Sequence, residues 1–341
     1  MKKKQLLLIT ALILSSLMLL TSCHKSGSGS SNSNLKVVSI GTQRIPNGEK
    51  IAVDKKYFEE EFGVEVNVIE FNAGDIRNAL VSKDIDFAHL GVSSGVLGIA
   101  SGIDAEVIWI HEVLGEAEGL VGKNGSDIKS IHDLVGKKVA TAFATTAHYS
   151  LLKALKLNGI PEKDVTIYDM QMPDIYAAWQ RGDIDAAYAW EPTLSSLLED
   201  GEVILTSKEL AEQGIVTSNI EIVRTEFANS HPEIVIGYIK AVDRAVMLYK
   251  EDHAEAIKSI SQELNISEEE AEAQSSGSVW LDGKEQLGGA YFGTSDQKGD
   301  LPNSLKDIAD FLYEQKSLAQ EPKLSTFEKA VNPMYIEEAI K

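Results

Sequence analysis

Residues able to do chemistry gather at a few points of the chain. The stretch Trp179 to Pro192, WQRGDIDAAYAWEP, holds three arrangements at once. Arg181-Gly182-Asp183 spells an adhesion tripeptide, Asp183, Asp185 and Glu191 offer carboxylates for a metal, and Trp190-Glu191 offers an apolar wall beside an acid. Elsewhere Ser93-Ser94 and Thr145-Thr146, with His148 close behind, stand where helices are expected to begin. A helix N-terminus presents unpaired N–H groups and a partial positive charge, so hydroxyls placed there can help hold an anion. Ser and Thr are equally the favoured plain caps, worth about 1 kcal/mol of helix stability, so any one of these positions alone reads as a cap. A carboxylate beside a pocket is costly to bury unless paired, and a ligand ammonium would pair Glu191 or Glu118. Trp190 is a rigid face that covers a short alkyl chain or stacks on a cation.

No catalytic signature accompanies these residues. The histidines lack the H-E-x-x-H spacing of a zinc site, and no G-x-S-x-G elbow, phosphate-binding G-x-x-x-x-G-K-[ST] loop or dinucleotide G-x-G-x-x-G is present. The expectation is a non-enzymatic protein with no cofactor and no metal.

The elements that must position these residues alternate. From Leu35 onward a strand at 35–42, a helix at 49–61, a strand at 64–71, a helix at 75–83 and a strand at 84–91 imply an α/β architecture with largely parallel sheets. A second block follows residues 118–124, with strands at 137–143, 165–170 and 183–190 and helices between them. Beyond Ile220 the chain becomes mainly helical, its apolar residues spaced by three and four. The blocks repeat a phrase: ALVSKDIDFAHLG and AAWQRGDIDAAYAW both set a helix, a tight turn and D-I-D before an apolar strand. Two similar lobes joined by two crossings, near Glu118 to Gly122 and Asn219 to Val223, would enclose a cleft, where small ligands bind preferentially. Ligands in open α/β sheets lie beyond the carboxyl ends of the strands. That rule selects Thr42-Gln43, Ser93-Ser94, Thr145-Thr146-His148 and Trp190-Glu191.

The N-terminus sets three lysines before an apolar run from Leu6 to Leu20, shorter than the roughly 20 residues of a membrane span, and reads as a secretory signal. Cys23 is the sole cysteine of the chain. It follows Leu20-Thr21-Ser22, where a lipoprotein signal is cut and the new terminal Cys is acylated, as by palmitate. Residues 24–34, HKSGSGSSNSN, read as a flexible tether. The expected division is 1–22 signal peptide, 23–34 lipidated Cys and tether, 35–120 plus 221–341 lobe 1 with the C-terminal helices, and 121–220 lobe 2. The expected location is the extracytoplasmic face of the cell membrane, anchored at Cys23. Processing removes three lysines and takes the formal charge from -20 to -23, leaving no basic stripe for nucleic acid. A small anion remains possible, since charges beyond about 8 Å are screened.

The segments TTAHYSLLKALKLNGI and AAWQRGDIDAAYAWEP, supported by LGVSSGVLGIASG and EIVRTEFANSHPEIV, resemble the taurine-binding proteins of ATP-binding-cassette (ABC) importers, within the sulfonate/nitrate/taurine group. The resemblance covers most of the mature chain and thins after about Ser259. It implies a type II periplasmic-binding-protein-like fold and a ligand cleft that closes on a small sulfonate, taurine first. It further implies delivery to a membrane permease with its ATPase, by a monomer. It would place the sulfonate near Ser93, Ser94, Thr145, Thr146 and His148 and the organic part near Trp190, with Gln43 aligning less securely. Glu118 matches an acid that faces the amine. At Asn219 the taurine pattern has aspartate, and at Glu191 it can have alanine, so the ligand's identity stays open among taurine, an alkanesulfonate, nitrate and a pyrimidine precursor. From other classes, an adhesion lipoprotein would use Arg181-Gly182-Asp183, and an enzyme of the pyrimidine-synthesis type would share the fold.

Overall fold

A computed structural model describes residues 35–341; the signal segment, Cys23 and the tether lie outside the described residues. The first lobe runs β1 (Val37–Thr42), α1 (Gly48–Asp54), α2 (Tyr57–Phe62), β2 (Glu65–Glu70), α3 (Ile76–Ser82), β3 (Phe87–Gly91), α4 (Val92–Ala100) and β4 (Ala105–Leu114). The chain then crosses to β5 (Glu118–Lys123), β6 (Lys138–Thr141), α5 (Thr146–Leu157), β7 (Thr166–Asp169), α6 (Met172–Arg181), β8 (Ala186–Trp190), α7 (Thr193–Leu198), β9 (Gly201–Thr206) and α8 (Ser207–Ala211). It returns through β10 (Ser218–Arg224) and finishes with α9 (Thr225–Ser230), α10 (Pro232–Glu251), α11 (His253–Leu264), α12 (Glu268–Ser275), β11 (Ser278–Val279), α13 (Gly283–Gln286), α14 (Leu301–Glu314), α15 (Leu324–Ala330) and α16 (Met334–Ala339). The C-terminal helices cover the first lobe: α10 packs on α1 and α2, α14 on α4, and α15 along β4.

The sheets are mixed, which corrects the expectation of largely parallel pairing. The first has the order β11-β4-β10-β3-β1-β2 and the second β7-β6-β8-β5-β9. In each, three strands are parallel: β2, β1 and β3 in one, β7, β6 and β8 in the other. The next position is taken by an antiparallel strand that carries a crossing, β10 beside β3 and β5 beside β8. A chain that switches sheets enters its new sheet from the cleft edge, so the entering strand runs against its neighbour. The expected single helix over 49–61 is two, α1 and α2, broken at Lys56, whose φ of 59° lies in the left-handed region.

The repeated D-I-D phrase has a structural cause. The backbone N–H of Asp86 donates to the Ser39 carbonyl and that of Asp185 to the Lys138 carbonyl, both at 2.8 Å. In return the Ser39 N–H donates to Asp86 Oδ2 at 3.0 Å and the Lys138 N–H to Asp185 Oδ2 at 2.8 Å. Each second aspartate therefore ties its strand to the neighbouring parallel strand, β3 to β1 and β8 to β6. The turns before them match as well, with Asp84 and Asp183 donating to the carbonyls of Ala79 and Ala178 at 3.0 Å. Left-handed residues end both helices, Lys83 at φ 64° and Gly182 at φ 73°.

Behind β8 the small side chains Ala187 and Ala189 leave room for Trp179, Ile175, Leu194 and Leu197, all buried in one cluster. Burying a residue of Trp179's size removes some 150–250 Å² from water, which anchors α6 and α7 and so fixes where β8 delivers Trp190 and Glu191.

Candidate functional site

A cleft lies where the carboxyl ends of the parallel strands of both sheets meet. The first lobe contributes Gln43, Ile45 and Pro46 after β1, Gly91 and Ser94 at the β3–α4 junction, Glu112 and Leu114 on β4, and Asn219 on β10. Ala117, Glu118, Thr145, Thr146, Trp190 and Glu191 face them from the other side, with Gln274 and Ser278 closing one end.

Strand register sets the polar groups in rows. In the first sheet Asn219 stands between Gly91 and Glu112, and in the second Glu118 stands opposite Trp190. Gly91 packs closely against the start of α5. A Cβ added there would lie 3.2 Å from Thr146 Cγ2 and 3.5 Å from Asn219 Oδ1. Glycine therefore lets the start of α5 reach the start of α4.

These two helices differ in their caps. Thr145 accepts the His148 N–H at 3.5 Å through its hydroxyl, while α4 follows Gly91 with no side-chain cap. The first-turn amides of a helix have no intrahelical acceptor, so both starts offer N–H groups and positive potential to the cleft.

The acids have different surroundings. Glu118 is wholly buried; its Oε1 accepts from Ser207 at 2.7 Å and Ser150 at 3.5 Å, and its Oε2 accepts from the Thr146 hydroxyl. Burial pushes its carboxyl up to about 7 despite these donors. Glu191 accepts the Ser195 N–H at 3.1 Å and hydroxyl at 2.9 Å, one on each oxygen, and burial raises its carboxyl too. Glu112 accepts from Asn219 Nδ2 through Oε1, whereas its buried Oε2 has no partner. Burial carries the Glu112 carboxyl up to about 8.

Comparison with known proteins agrees with this architecture. Residues 36–274 match the family described as the substrate-binding domain of the ABC-type glycine betaine transport system. The chain is 33% identical to the taurine-binding periplasmic protein of Escherichia coli K12, over 82% of this chain and 86% of that one. It belongs to the substrate-binding proteins of ABC importers, in the sulfonate and taurine group.

The fold is shared with the aliphatic sulphonate-binding protein SsuA of Escherichia coli, at a TM-score of 0.72 and 19% identity, covering 89% of this chain and 99% of that one. SsuA of Xanthomonas axonopodis pv. citri, bound to MOPS, gives a TM-score of 0.72 at 20% identity, covering 86% and 98%. The sequence relatives are binding proteins rather than enzymes.

Within this binding-protein fold, eight of the residues singled out from sequence line the cleft: Gln43, Ser94, Glu118, Thr145, Thr146, Trp190, Glu191 and Asn219. Two do not. Ser93 is buried behind the lining, its hydroxyl unpartnered, because the next position on α4 is the one that turns to the cleft. His148 lies flat on Phe143, ring centres 4.2 Å apart, and its Nδ1 accepts the Ala144 N–H at 3.4 Å. Burial lowers its imidazole to about 4, so the ring is neutral and stacked outside the lining.

Thr146 also differs from expectation, since its hydroxyl donates to Glu118 and leaves its backbone N–H for the cleft. Arg181-Gly182-Asp183 is a helix end: Gly182 is the left-handed cap and Arg181 Nε bonds Asp183 Oδ2 at 2.7 Å. Asp185 is spent on β6, so the three acids of that stretch do not converge.

Sequence reasoning missed Glu112 and a polar core beside it. Tyr238 bonds Glu49 Oε2 at 2.9 Å and Glu221 Oε2 at 2.8 Å, and His111 Nε2 lies 2.9 Å from that same Glu221 oxygen. Glu49, His111 and Glu221 hold ligand-type atoms within 4.8 Å of one another, entirely buried. Burial lowers both His111 and the adjacent His89, the latter to about 3, so both rings are neutral. The signal for His111 and Glu112 is β4 itself, whose run AEVIWIHEVL reads as a strand with a histidine and an acid near its carboxyl end.

Proposed function

We propose that this chain is a lipid-anchored receptor that captures a small sulfonate, taurine first, and hands it to the permease of an ABC importer. The observation that carries the reading is one cleft joining two helix N-termini to an aromatic wall and buried acids. Amides at the starts of α4 and α5 hold the sulfonate, Trp190 covers the carbon chain, and an acid of the cleft wall answers the ammonium. Closure dehydrates these contacts and strengthens each. An affinity near a micromolar corresponds to about 8 kcal/mol net, within reach of several charge-assisted bonds after ordering costs. Nitrate or a simple alkanesulfonate would leave the acids without a counterion.

Acylation at Cys23, with residues 24–34 as tether, would hold a monomer at the outer face of the membrane. Lobe 1 spans 35–120 and 221–341, and lobe 2 spans 121–220. Mass spectrometry of the molecule released on denaturation, followed by calorimetry with taurine, ethanesulfonate and nitrate, tests the ligand. Absence of binding to every sulfonate refutes the proposal, and a detergent-free, unacylated native protein refutes the anchor.

A further inference from the structure

We infer that Glu112, aligned by Asn219, is the seat for the cationic end of the bound ligand. The inference rests on the sulfonate-receptor reading and adds which side chains read the ligand's ammonium group. Among the described residues three acids line the cleft, and their hydrogen bonds separate them. Glu118 has hydroxyl donors on both oxygens, and Glu191 has Ser195 on both. These two carboxylates serve local structure, one gathering α5 and α8 around β5 and the other holding the start of α7. Glu112 alone of the three keeps a buried oxygen, Oε2, without a partner.

Asn219 fits the same role. Its Nδ2 donates to Glu112 Oε1, and only this orientation of the amide is favourable beside a carboxylate, because the reverse would set oxygen against oxygen. The orientation leaves Oδ1 as an acceptor close to Gly91 at the cleft wall. An arriving ammonium has three N–H donors and here meets one charged and one neutral acceptor. A lone buried carboxylate is costly, so the empty site keeps a proton on Glu112 near neutral pH; a ligand cation stabilises the carboxylate, releases that proton to water and occupies the open oxygen. Lys50, the basic group within electrostatic range, is engaged by Thr42 at 2.6 Å and by Glu49 at 3.7 Å. The matching ligand class is a small zwitterion carrying an ammonium, with the acid supplied from β4 while position 219 on β10 is neutral.

The test is the ratio of ethanesulfonate to taurine dissociation constants, measured by calorimetry on ligand-stripped protein. The wild type should prefer taurine by at least about tenfold, the scale of one charged hydrogen bond. E112Q should lower that ratio about 10- to 100-fold, with measurable ethanesulfonate binding reporting that the cleft is still formed. The exchange variant E112Q/N219D, which swaps acid and amide across the pair, should recover much of the preference. A wild-type ratio near one, or an E112Q ratio equal to the wild type's, overturns the inference while leaving a sulfonate receptor intact. Failure of the wild type to bind either probe instead overturns the receptor reading. If E112Q does not fold, the wild-type ratio and the exchange variant decide: a folded exchange variant without preference also overturns it.

Discussion

Replacing Glu118 by Gln should remove a specific pH dependence of folding stability. Burial is the largest influence on this carboxyl and raises it from 4.5 to about 7, outweighing the hydroxyls around it. An acid with a raised folded value binds more protons folded than unfolded between the two values, so stability falls as pH rises through that window. Below pH 4.5 both states keep the proton; above about 7 both have lost it and the full penalty applies. Across the window, at about 1.4 kcal/mol per pH unit, the contribution reaches about 3 kcal/mol as an upper bound. Gln keeps the shape, cannot ionise, and faces hydroxyls that can rotate to accept as well as donate. The stability difference, E118Q minus wild type, should therefore shift in favour of the variant by about 2–3 kcal/mol from pH 4.5 to pH 8. Urea unfolding of ligand-free protein followed by tryptophan fluorescence measures it, with equal slopes in both proteins as the check that the unfolded state is unchanged. Glu112, Glu191 and Glu221 are also raised, but they titrate in both proteins and cancel in the difference. A difference flat to within about 0.5 kcal/mol would refute the claim that burial outweighs the hydroxyl donors and holds the Glu118 carboxyl raised.

Gly182→Ala should cost about 1–2 kcal/mol, because φ of 73° is strained for any L side chain, and should leave ligand affinity untouched; chemical denaturation and calorimetry read the two effects. Asp86→Ala and Asp185→Ala each remove a strand-to-strand tie, at about 1–2 kcal/mol apiece, and the double variant should lose nearly the sum because the ties lie in separate sheets. His148→Ala should lower stability by about 1 kcal/mol through loss of its stack on Phe143 while calorimetry shows taurine affinity within threefold of wild type. A tenfold loss there would return His148 to the ligand.

Much of the first-order layout is legible in the sequence because it depends on local rules. The strand-end rule found six cleft residues since β1, β3, β6 and β8 are short apolar runs followed by turns or helix starts, and each ends at the same edge of its sheet. The D-I-D repeat was visible too, although its cause was not: a side chain bonding the backbone of a neighbouring strand depends on a pairing 47 residues away in both lobes. Side-chain direction was the harder matter. Ser93 and Ser94 share a dipeptide, yet a 100° step along α4 sends one behind the wall and the other into it. His148, one turn into α5, found an aromatic neighbour before it found the cleft.

The decisive omission was β4. Its direction matches that of β3, since both are antiparallel to β10, so the same strand-end rule applies to it and would have selected Glu112 near its carboxyl end. Without that strand the sequence shows a deficit of charge at Asn219 and an excess at Glu191, as if the acid had moved across the pocket. With it, the register explains Asn219. Asn219 lies directly opposite Glu112 on the adjoining strand and bonds it, so an aspartate at 219 would set two carboxylates side by side in a buried row. Two such acids cannot both ionise cheaply, and the neutral amide resolves the conflict by donating to one oxygen. Glu191, meanwhile, takes both donors of Ser195 and holds the start of α7. The departure at 219 therefore follows from an acid already in place one strand away, and the pocket keeps a carboxylate oxygen free.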